Sequence, residues 1–207
     1  MSFPDKSDIE IEDFLGSYAS EIQKGFECID PKELEKIANV IDECIKGKHT
    51  IYTCGNGGSS AISEHFVCDF LKMTATYTDI QPIIHSLTSN TPTITAIAND
   101  ISYAETFSFQ LKKYANEKDI LICISSSGNS PNIIRSIEAS KEIGMKSIGF
   151  VGFDGGAAKK ISDYCIHINN GNYGIVEDVH HSLMHILAQY IRLKNLENTE
   201  NIDSIVF

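Results

Sequence analysis

The sequence predicts an α/β protein built as a three-layer α/β/α sandwich, with a five-stranded parallel sheet between two layers of helices. Two amphipathic stretches come first, and short apolar runs then alternate with helical stretches along the rest of the chain. Strands that alternate with helices favour a parallel sheet with helices on both faces. The predicted strands are residues 50–54, 82–87, 120–124, 147–151 and 164–168.

Predicted helices enclose this sheet at both ends of the chain. An N-terminal helical pair covers residues 9–29 and 31–45, and apolar residues such as Ile37 and Ile41 recur at helical spacing in its second member. The last helix covers residues 175–196 and has a very broad apolar face. Such a face indicates burial against more than one neighbour, or a subunit interface.

The length of 207 residues predicts one domain with a full hydrophobic core. We expect this single domain to span residues 1–207, with N-terminal helices at 9–45, an α/β core at 49–196 and a short polar tail at 197–207.

Composition limits the classes of partner. A net charge of −11 argues against a nucleic-acid groove, which requires clustered lysine and arginine. No apolar run reaches membrane-spanning length, and the first residues lack an apolar signal core. The six cysteines form no Cys-x-x-Cys pair and lie mostly in apolar runs, which favours reduced thiols in the cytoplasm. The expected location is therefore cytoplasmic, with no nucleic acid and no membrane as partner.

The most informative segment of the chain is a serine-rich turn between an apolar strand and a helix. Residues 120–124 are all apolar, and Pro131 is suited to the first turn of the helix that follows. Such a turn points backbone N–H groups and a positive helix dipole at one place, which suits a phosphate. Simple helix capping is the alternative. The candidate phosphate-binding residues are Ser125, Ser126, Ser127 and Ser130.

A second turn of this kind follows the first strand, where Cys54 is followed by Gly-Asn-Gly-Gly-Ser-Ser. It is not a dinucleotide-binding fingerprint, because Ser60 stands where the third glycine belongs. Ligands of open α/β sheets bind at the carboxyl ends of strands near the topological switch point. The two turns are therefore expected to converge on one pocket.

Titratable side chains recur at helical spacing in two places. His65 and Asp69 lie four residues apart, and Glu177, His181 and His185 repeat that spacing on the last helix. His65, Asp69, Glu177 and His185 would together suit a divalent metal or acid–base chemistry, whereas surface salt bridges are the alternative. His180 and His181 point in different directions, so at most one of them faces such a site.

Asn99 and Asp100 end a segment rich in threonine and isoleucine, which we interpret as a loop. They are suited to binding sugar hydroxyls or to capping the following helix, and the sequence does not choose between these roles.

In this order the motifs resemble the sugar isomerase (SIS) domain family, and within it the sedoheptulose-7-phosphate isomerases. The resemblance extends over about residues 9–193. The matching segments are Gly55-Asn56-Gly57-Gly58-Ser59, His65-x-x-x-Asp69, Leu87-Thr88-x-x-Thr91, Thr95-Ala96-Ile97-x-Asn99-Asp100, Ser125-Ser126-Ser127-Gly128-Asn129-Ser130, Gly152-x-Asp154-Gly155-Gly156 and His185-Ile186-Leu187.

The resemblance implies a homotetramer with active sites at subunit junctions, a sugar-phosphate substrate and one zinc ion per subunit. It also implies positions for the functional residues. The implied substrate-binding residues are Asn56, Gly57, Gly58, Ser59, Asn99, Asp100, Ser125, Ser126, Ser127, Ser130 and Glu177. The implied metal ligands are His65, Asp69, Glu177 and His185.

The chain departs from the family pattern near the sugar end of the implied site. Asp69 and Glu177 replace the usual glutamate and glutamine, and both can still bind metal. Met73 replaces a substrate-contacting arginine, although Lys72 is adjacent, and Asn90 and Gly174 each replace an aspartate. Because the phosphate end is intact, these changes suggest an altered substrate in the same reaction class.

The implied reaction is an aldose–ketose isomerisation that moves a proton between C1 and C2 through an enediol. This requires a base and a partner that stabilises charge on the carbonyl oxygen. Asp69 or Glu177 is the candidate base and His185 the candidate partner. The expected substrate is sedoheptulose 7-phosphate. A different sugar phosphate, used in surface-polysaccharide synthesis, and a non-catalytic SIS protein that binds a phosphosugar or a protein remain as alternatives.

Overall fold

The computed structural model describes residues 3, 4, 7 and 9–196, so the predicted tail at 197–207 lies outside the described residues. Five parallel strands form one sheet in the order β2-β1-β3-β4-β5, which confirms the predicted sheet. The strands are β1 (Thr50–Gly55), β2 (Ile83–Ser86), β3 (Ile120–Ser125), β4 (Lys146–Val151) and β5 (Tyr164–His167).

Helices cover both faces of the sheet and produce the predicted three layers. They are α1 (Ile11–Glu27), α2 (Pro31–Lys46), α3 (Gly58–Cys68), α4 (Thr91–Asp100), α5 (Ser108–Tyr114), α6 (Pro131–Ile143), α7 (Gly156–Ile161) and α8 (Tyr173–Lys194), and a short 3₁₀ turn spans Tyr103–Glu105.

Alternate side chains of the strands separate the core into two parts. Ile120, Ile122 and Ile124 of β3 face a cluster shared with α2, α3 and α8. Leu121 and Cys123 face a second cluster shared with α5, α6 and α7. Both faces of a strand are therefore buried, which explains why the central strands read as continuous apolar runs.

Two segments differ from the sequence-based prediction near the site. Helix α3 begins at Gly58 rather than at residue 61, and π-helical turns over Asp69–Thr74 continue it. Asn99 and Asp100 lie in the last turn of α4, so the prediction of a loop was wrong there. The capping alternative is also wrong, because the next turn begins after Ser102.

The strand order places the topological switch point between β1 and β3. The chain goes from β1 outward to β2 on one side, and then returns to β3 on the other side of β1. The two turns predicted to bind ligand therefore follow adjacent strands and leave the sheet at the same edge, where ligand pockets of open α/β sheets lie.

Within the part of the chain that the structure describes, no helix combines the length and apolar character needed to cross a membrane.

Candidate active site

The turn after β1 and the turn after β3 are joined by paired amides. Asn56 Nδ2 donates to Oδ1 of Asn132 at 2.9 Å, and Asn132 Nδ2 donates to Oδ1 of Asn56 at 2.8 Å. The Tyr103 hydroxyl also donates to Asn56 Oδ1, at 2.9 Å. This confirms that the two loops converge, because a side chain of one loop is fixed by the first turn of the helix that follows the other.

The serine loop, Ser125–Ser130, folds back on itself before α6 begins. The Gly128 N–H lies 3.2 Å from both the carbonyl oxygen and the Oγ of Ser125, and the Asn129 N–H donates to Ser127 Oγ at 3.3 Å. Ser130 occupies the N-cap position of α6, but its side chain makes no capping bond. The capping alternative therefore does not account for the Ser130 hydroxyl.

Ser126 is a second hydroxyl that protein contacts do not satisfy. Its Oγ is buried and has no hydrogen-bond partner among the described residues. A buried hydroxyl without a partner is costly, so its presence is consistent with a ligand acceptor or donor at this loop.

The turn after β4 packs against the serine loop and fixes its shape. Gly128 has φ +62°, a conformation that favours glycine, and a side chain there would clash with the Gly155 carbonyl oxygen. The Ala158 N–H donates to Gly128 O at 2.9 Å, and the Ala157 N–H donates to Asn129 Oδ1 at 3.0 Å. These contacts fix the conformation of the serine loop.

The titratable side chains of α8 meet those of α3 and its π-helical continuation. The Asp69 carboxylate is buried, its Oδ2 lies 2.6 Å from Nδ1 of His185, and its Oδ1 lies 3.3 Å from Nε2 of His65. The structure thus brings together three of the four predicted metal ligands. Because Asp69 is buried and bridges two helices, the surface salt-bridge alternative does not describe it.

Sequence reasoning missed His181 as a member of this cluster. His181 Nε2 lies 2.6 Å from Nδ1 of His65, and the His181 ring stacks on His185 with centroids 5.0 Å apart. One potential ligand atom from each of the three imidazoles lies within 4.8 Å of the others. Burial, followed by the nearby rings of His65 and His185, lowers the pKa of His181.

The neighbouring His180 points the other way, as expected. It is fully buried beside Phe150, and burial lowers its pKa to about 4. The one-turn spacing of His181 from Glu177 and His185 was the signal that could have identified it as the member of the pair that faces the site.

Glu177 is not among the described His, Cys, Asp and Glu groups whose ligand atoms lie within 4.8 Å of one another, so its role as a metal ligand stays a prediction. Its carboxylate packs against Gly58 at the N-terminus of α3, and a side chain at Gly58 would clash with both carboxylate oxygens. Burial and the nearby Asp178 carboxylate raise the pKa of Glu177. Glu177 therefore lies beside the glycine loop, one helical turn away from the imidazole cluster.

The other implied substrate-binding residues are distributed around these loops. Gly57 and Gly58 are exposed at the start of α3, and Ser59 is buried there. Asn99 and Asp100 are exposed at the end of α4, where Asn99 Nδ2 donates to Asp100 Oδ1 at 2.8 Å.

Three departures from the family pattern have local explanations in the structure. Asn90 caps α4, because its Oδ1 accepts from the Thr93 N–H at 3.0 Å. Met73 packs against the core, and a β-carbon at Gly174 would lie 2.9 Å from the Tyr18 hydroxyl. Asn90 and Met73 therefore serve the fold, and Gly174 makes room for Tyr18.

The chain is similar over most of its length to known phosphoheptose isomerases. The phosphoheptose isomerase of Helicobacter pylori (strain P12) is 32% identical over 186 residues, which cover 89% of this chain and 94% of that protein. The solved phosphoheptose isomerase of Francisella tularensis superposes with a TM-score of 0.80 at 28% identity, covering 89% of this chain and 100% of that one.

A second solved phosphoheptose isomerase, from Neisseria gonorrhoeae, superposes with a TM-score of 0.78 at 28% identity and covers 87% of this chain and 97% of that one. Residues 16–152 match the family described as the SIS domain. With this match and a relative that is 32% identical over 89% of this chain's length, the chain belongs to the SIS domain family.

Proposed function

We propose that this protein is a phosphosugar aldose–ketose isomerase that converts sedoheptulose 7-phosphate to D-glycero-D-manno-heptose 7-phosphate. The observation that carries the proposal is the position of Glu177, a proton-transfer carboxylate, beside the loop that converges with the serine loop. The phosphoheptose isomerases to which the chain is similar over most of its length support the same reaction and substrate.

The serine loop binds the substrate phosphate in this proposal. The α6 N-terminus supplies N–H groups and a positive dipole end, and Ser130 and Ser126 supply hydroxyls that protein contacts leave unused. In a chain with a net charge of −11, such local donors bind an anion without a basic patch. Phosphate binding then positions the reacting end of the sugar toward the glycine loop and α8.

Glu177 is the base that we favour for moving the proton between C1 and C2. Its raised pKa brings the carboxylate closer to the range suited to proton transfer near neutral pH. Asp69, the other candidate, has both oxygens occupied by imidazoles and is buried. Asp69 is therefore better placed to hold His65 and His185 than to reach a carbon-bound proton.

The imidazole cluster stabilises the negative charge that develops on the carbonyl oxygen. His185, whose Nδ1 is held by Asp69, is the imidazole that we propose for this role, acting through a divalent ion that its other ring nitrogen would hold. The nitrogen and carboxylate donors of the cluster fit a divalent ion, and zinc is the ion that we propose. When bound, zinc supplies Lewis-acid polarisation of the same oxygen.

We also propose that the enzyme works as a homotetramer in the cytoplasm. All six cysteines are free, which suits a reducing compartment. Large apolar side chains remain exposed on α1 and α8, including Ile11, Leu15 and Ile186, and a second copy of the chain would cover them.

The proposed function is tested by proton exchange on a panel of ketose phosphates. The full chain is incubated in deuterated water with sedoheptulose 7-phosphate, fructose 6-phosphate or ribulose 5-phosphate, with and without zinc. We expect deuterium at C1 or C2 and formation of the aldose, with the highest kcat/KM for the seven-carbon sugar and far less for unphosphorylated sedoheptulose.

Other outcomes identify the alternatives. Faster exchange with another ketose phosphate would keep the reaction and replace the substrate. Tight binding of the sugar phosphates without exchange at any carbon would instead assign the protein to the binding-only class.

A further inference from the structure

We propose that this chain holds its divalent ion through three imidazoles, those of His65, His181 and His185, with Asp69 orienting two of them and Glu177 outside the ligand set. The inference rests on the proposed function for the presence of a metal, but its test needs no substrate. It differs from the ligand set that the family resemblance implies, which contains Asp69 and Glu177 and lacks His181.

Asp69 contacts one nitrogen on each of two rings, through a hydrogen bond to His185 and an ion-pair contact to His65. His65 faces Asp69 with Nε2 and therefore has Nδ1 free for a metal, and that Nδ1 is the atom that lies 2.6 Å from His181 Nε2. His185 faces Asp69 with Nδ1, which leaves Nε2 as its donor. The three remaining nitrogens belong to rings that meet at centroid distances of 4.7–5.0 Å.

Asp69 acts as a positioning residue in this arrangement. A carboxylate that accepts from the second nitrogen of a metal-bound imidazole fixes the ring orientation and increases its basicity. From a buried position Asp69 makes that hydrogen bond with His185 at 2.6 Å and lies 3.3 Å from Nε2 of His65. With both its oxygens directed at ring nitrogens, it is not needed as a direct ligand.

Glu177 lies outside this cluster, and its carboxylate contacts the first turn of α3 instead. Its carboxylate packs on Gly58 in the first turn of α3, whereas His65 lies two turns further along that helix. The positive end of α3 favours the carboxylate at this place. Glu177 is thereby left available as a base.

An ion can enter the cluster only if two of its nitrogens move apart. Two donors on a tetrahedral zinc ion are about 3.3 Å apart, so the His65 and His181 nitrogens must separate by about 0.7 Å. The side chains of His65 and His185 are 38% and 39% exposed, so their rings can make that movement, and solvent reaches the site. A three-imidazole site also keeps a fourth position open for a substrate oxygen.

The charge of the site follows from this donor set. Three neutral imidazoles leave the full double positive charge on the ion, whereas two carboxylate ligands would cancel it. The proposed site is therefore a stronger Lewis acid than the set containing Asp69 and Glu177.

The unmodified protein provides the first test. X-ray absorption of the full chain loaded with one equivalent of zinc should show three imidazole ligands and an oxygen at the fourth position. Two imidazoles with two carboxylate or amide oxygens would overturn the proposal. So would a sulfur scatterer, because it would place the ion on Cys68, which lies beside His65 and Asp69.

Variants provide the second test, with zinc affinity measured by chelator competition and geometry by the visible spectrum of bound cobalt. His181→Ala should weaken zinc binding at least 100-fold and change the cobalt spectrum. Asp69→Asn should weaken binding 10–100-fold while keeping the spectrum, the usual effect of an orienting carboxylate. Glu177→Gln and Cys68→Ser are the matched controls and should leave affinity within twofold.

Equal zinc affinity in His181→Ala and wild type, together with a large loss in Glu177→Gln, would overturn the inference. Circular dichroism of the zinc-free variants checks that each has folded. Three-imidazole zinc binding in a protein that exchanges no ketose proton would refute the proposed function and leave this inference standing.

Discussion

At the scale of single residues, the function depends on how two carboxylates are used. Asp69 is buried and faces two imidazoles, whereas Glu177 is half-buried at the N-terminus of α3 and has a raised pKa. The two residues have the same chemistry but different surroundings, and for this reason we propose Asp69 for positioning and Glu177 for proton transfer.

Glu177→Gln tests this assignment because glutamine keeps the shape of the side chain and removes the base. We expect kcat for sedoheptulose 7-phosphate to fall by about 10²–10⁴, the usual contribution of a general base, with KM changed little. Steady-state kinetics of the zinc-loaded variant measures this. Activity at the wild-type level would return the base role to Asp69.

Ser127→Ala tests whether the serine loop binds the substrate phosphate. Ser127 is half-buried in the serine loop, and loss of its hydroxyl should weaken binding of the sugar phosphate by about 1–3 kcal/mol, the scale of a hydrogen bond to a charged group. Calorimetric titration measures the affinity. Ser182→Ala is the control, since that hydroxyl bonds to Asp178 O of its own helix. An unchanged affinity in a folded Ser127 variant would make the loop structural.

At the scale of elements, one face of α8 is buried in the core and another carries histidines of the imidazole cluster. Val179, His180 and Leu183 are buried against the sheet, while His181 and His185 turn toward α3. His180 therefore belongs to the core, whereas the adjacent His181 belongs to the imidazole cluster. Because burial disfavours the charged form of His180, this residue makes the stability of the fold depend on pH.

His180 should make the protein less stable in mild acid. Its folded pKa of about 4 lies below the unfolded value, so the unfolded state binds the proton first as the pH falls. Stability is therefore full above about pH 6.5 and declines toward pH 4, by up to about 3 kcal/mol. Urea unfolding of the metal-free protein at several pH values measures the slope.

His180→Gln is the matched variant. Whatever its absolute stability, its free energy of unfolding should change less with pH, because about one proton fewer is taken up on unfolding. His180→Asn replaces it if the first variant does not fold. All measurements use one protein concentration and a chelator. Equal slopes in wild type and variant would show that His180 does not carry the effect.

The sequence was most informative where local pattern decides the structure. Apolar runs such as residues 120–124 identified the strands, because a strand buried on both faces must be apolar throughout. The two switch-point turns were also identified from a local pattern, because each is a run of serine and glycine between an apolar strand and a helix. The start of α3 was placed three residues late, because Gly58 and Ser59 look like turn residues.

The membership of the imidazole cluster could not be obtained in this way. Spacing shows that Glu177, His181 and His185 share a face of α8, but the neighbour of each depends on how α8 lies along α3. In the structure that packing brings His181 to His65 and Glu177 to Gly58. Long-range placement of this kind follows from tertiary packing rather than from helical period.

At the scale of the whole molecule, the described chain leaves apolar surface unburied in two places. Ile11 and Leu15 of α1 are 80% and 68% exposed, and Ile186, Tyr190 and Leu193 of α8 are about 40% exposed. A groove between α2 and α8 is lined by Leu34, Ala38, Leu187 and other residues. Scattered apolar side chains are ordinary on a surface, but these lie on the two terminal helices that pack against each other.

We expect a homotetramer in solution, held together by these faces of α1 and α8. Sedimentation equilibrium at micromolar concentration should give four times the chain mass. The double variant Leu15→Glu and Ile186→Glu should dissociate it, because each charge would have to be desolvated at an apolar interface. Lys141→Glu is the control, a charge change at an exposed position of α6, which packs on the other side of the sheet. A wild-type protein that sediments as a monomer would leave the exposed apolar faces without an occupant and would contradict assembly through them.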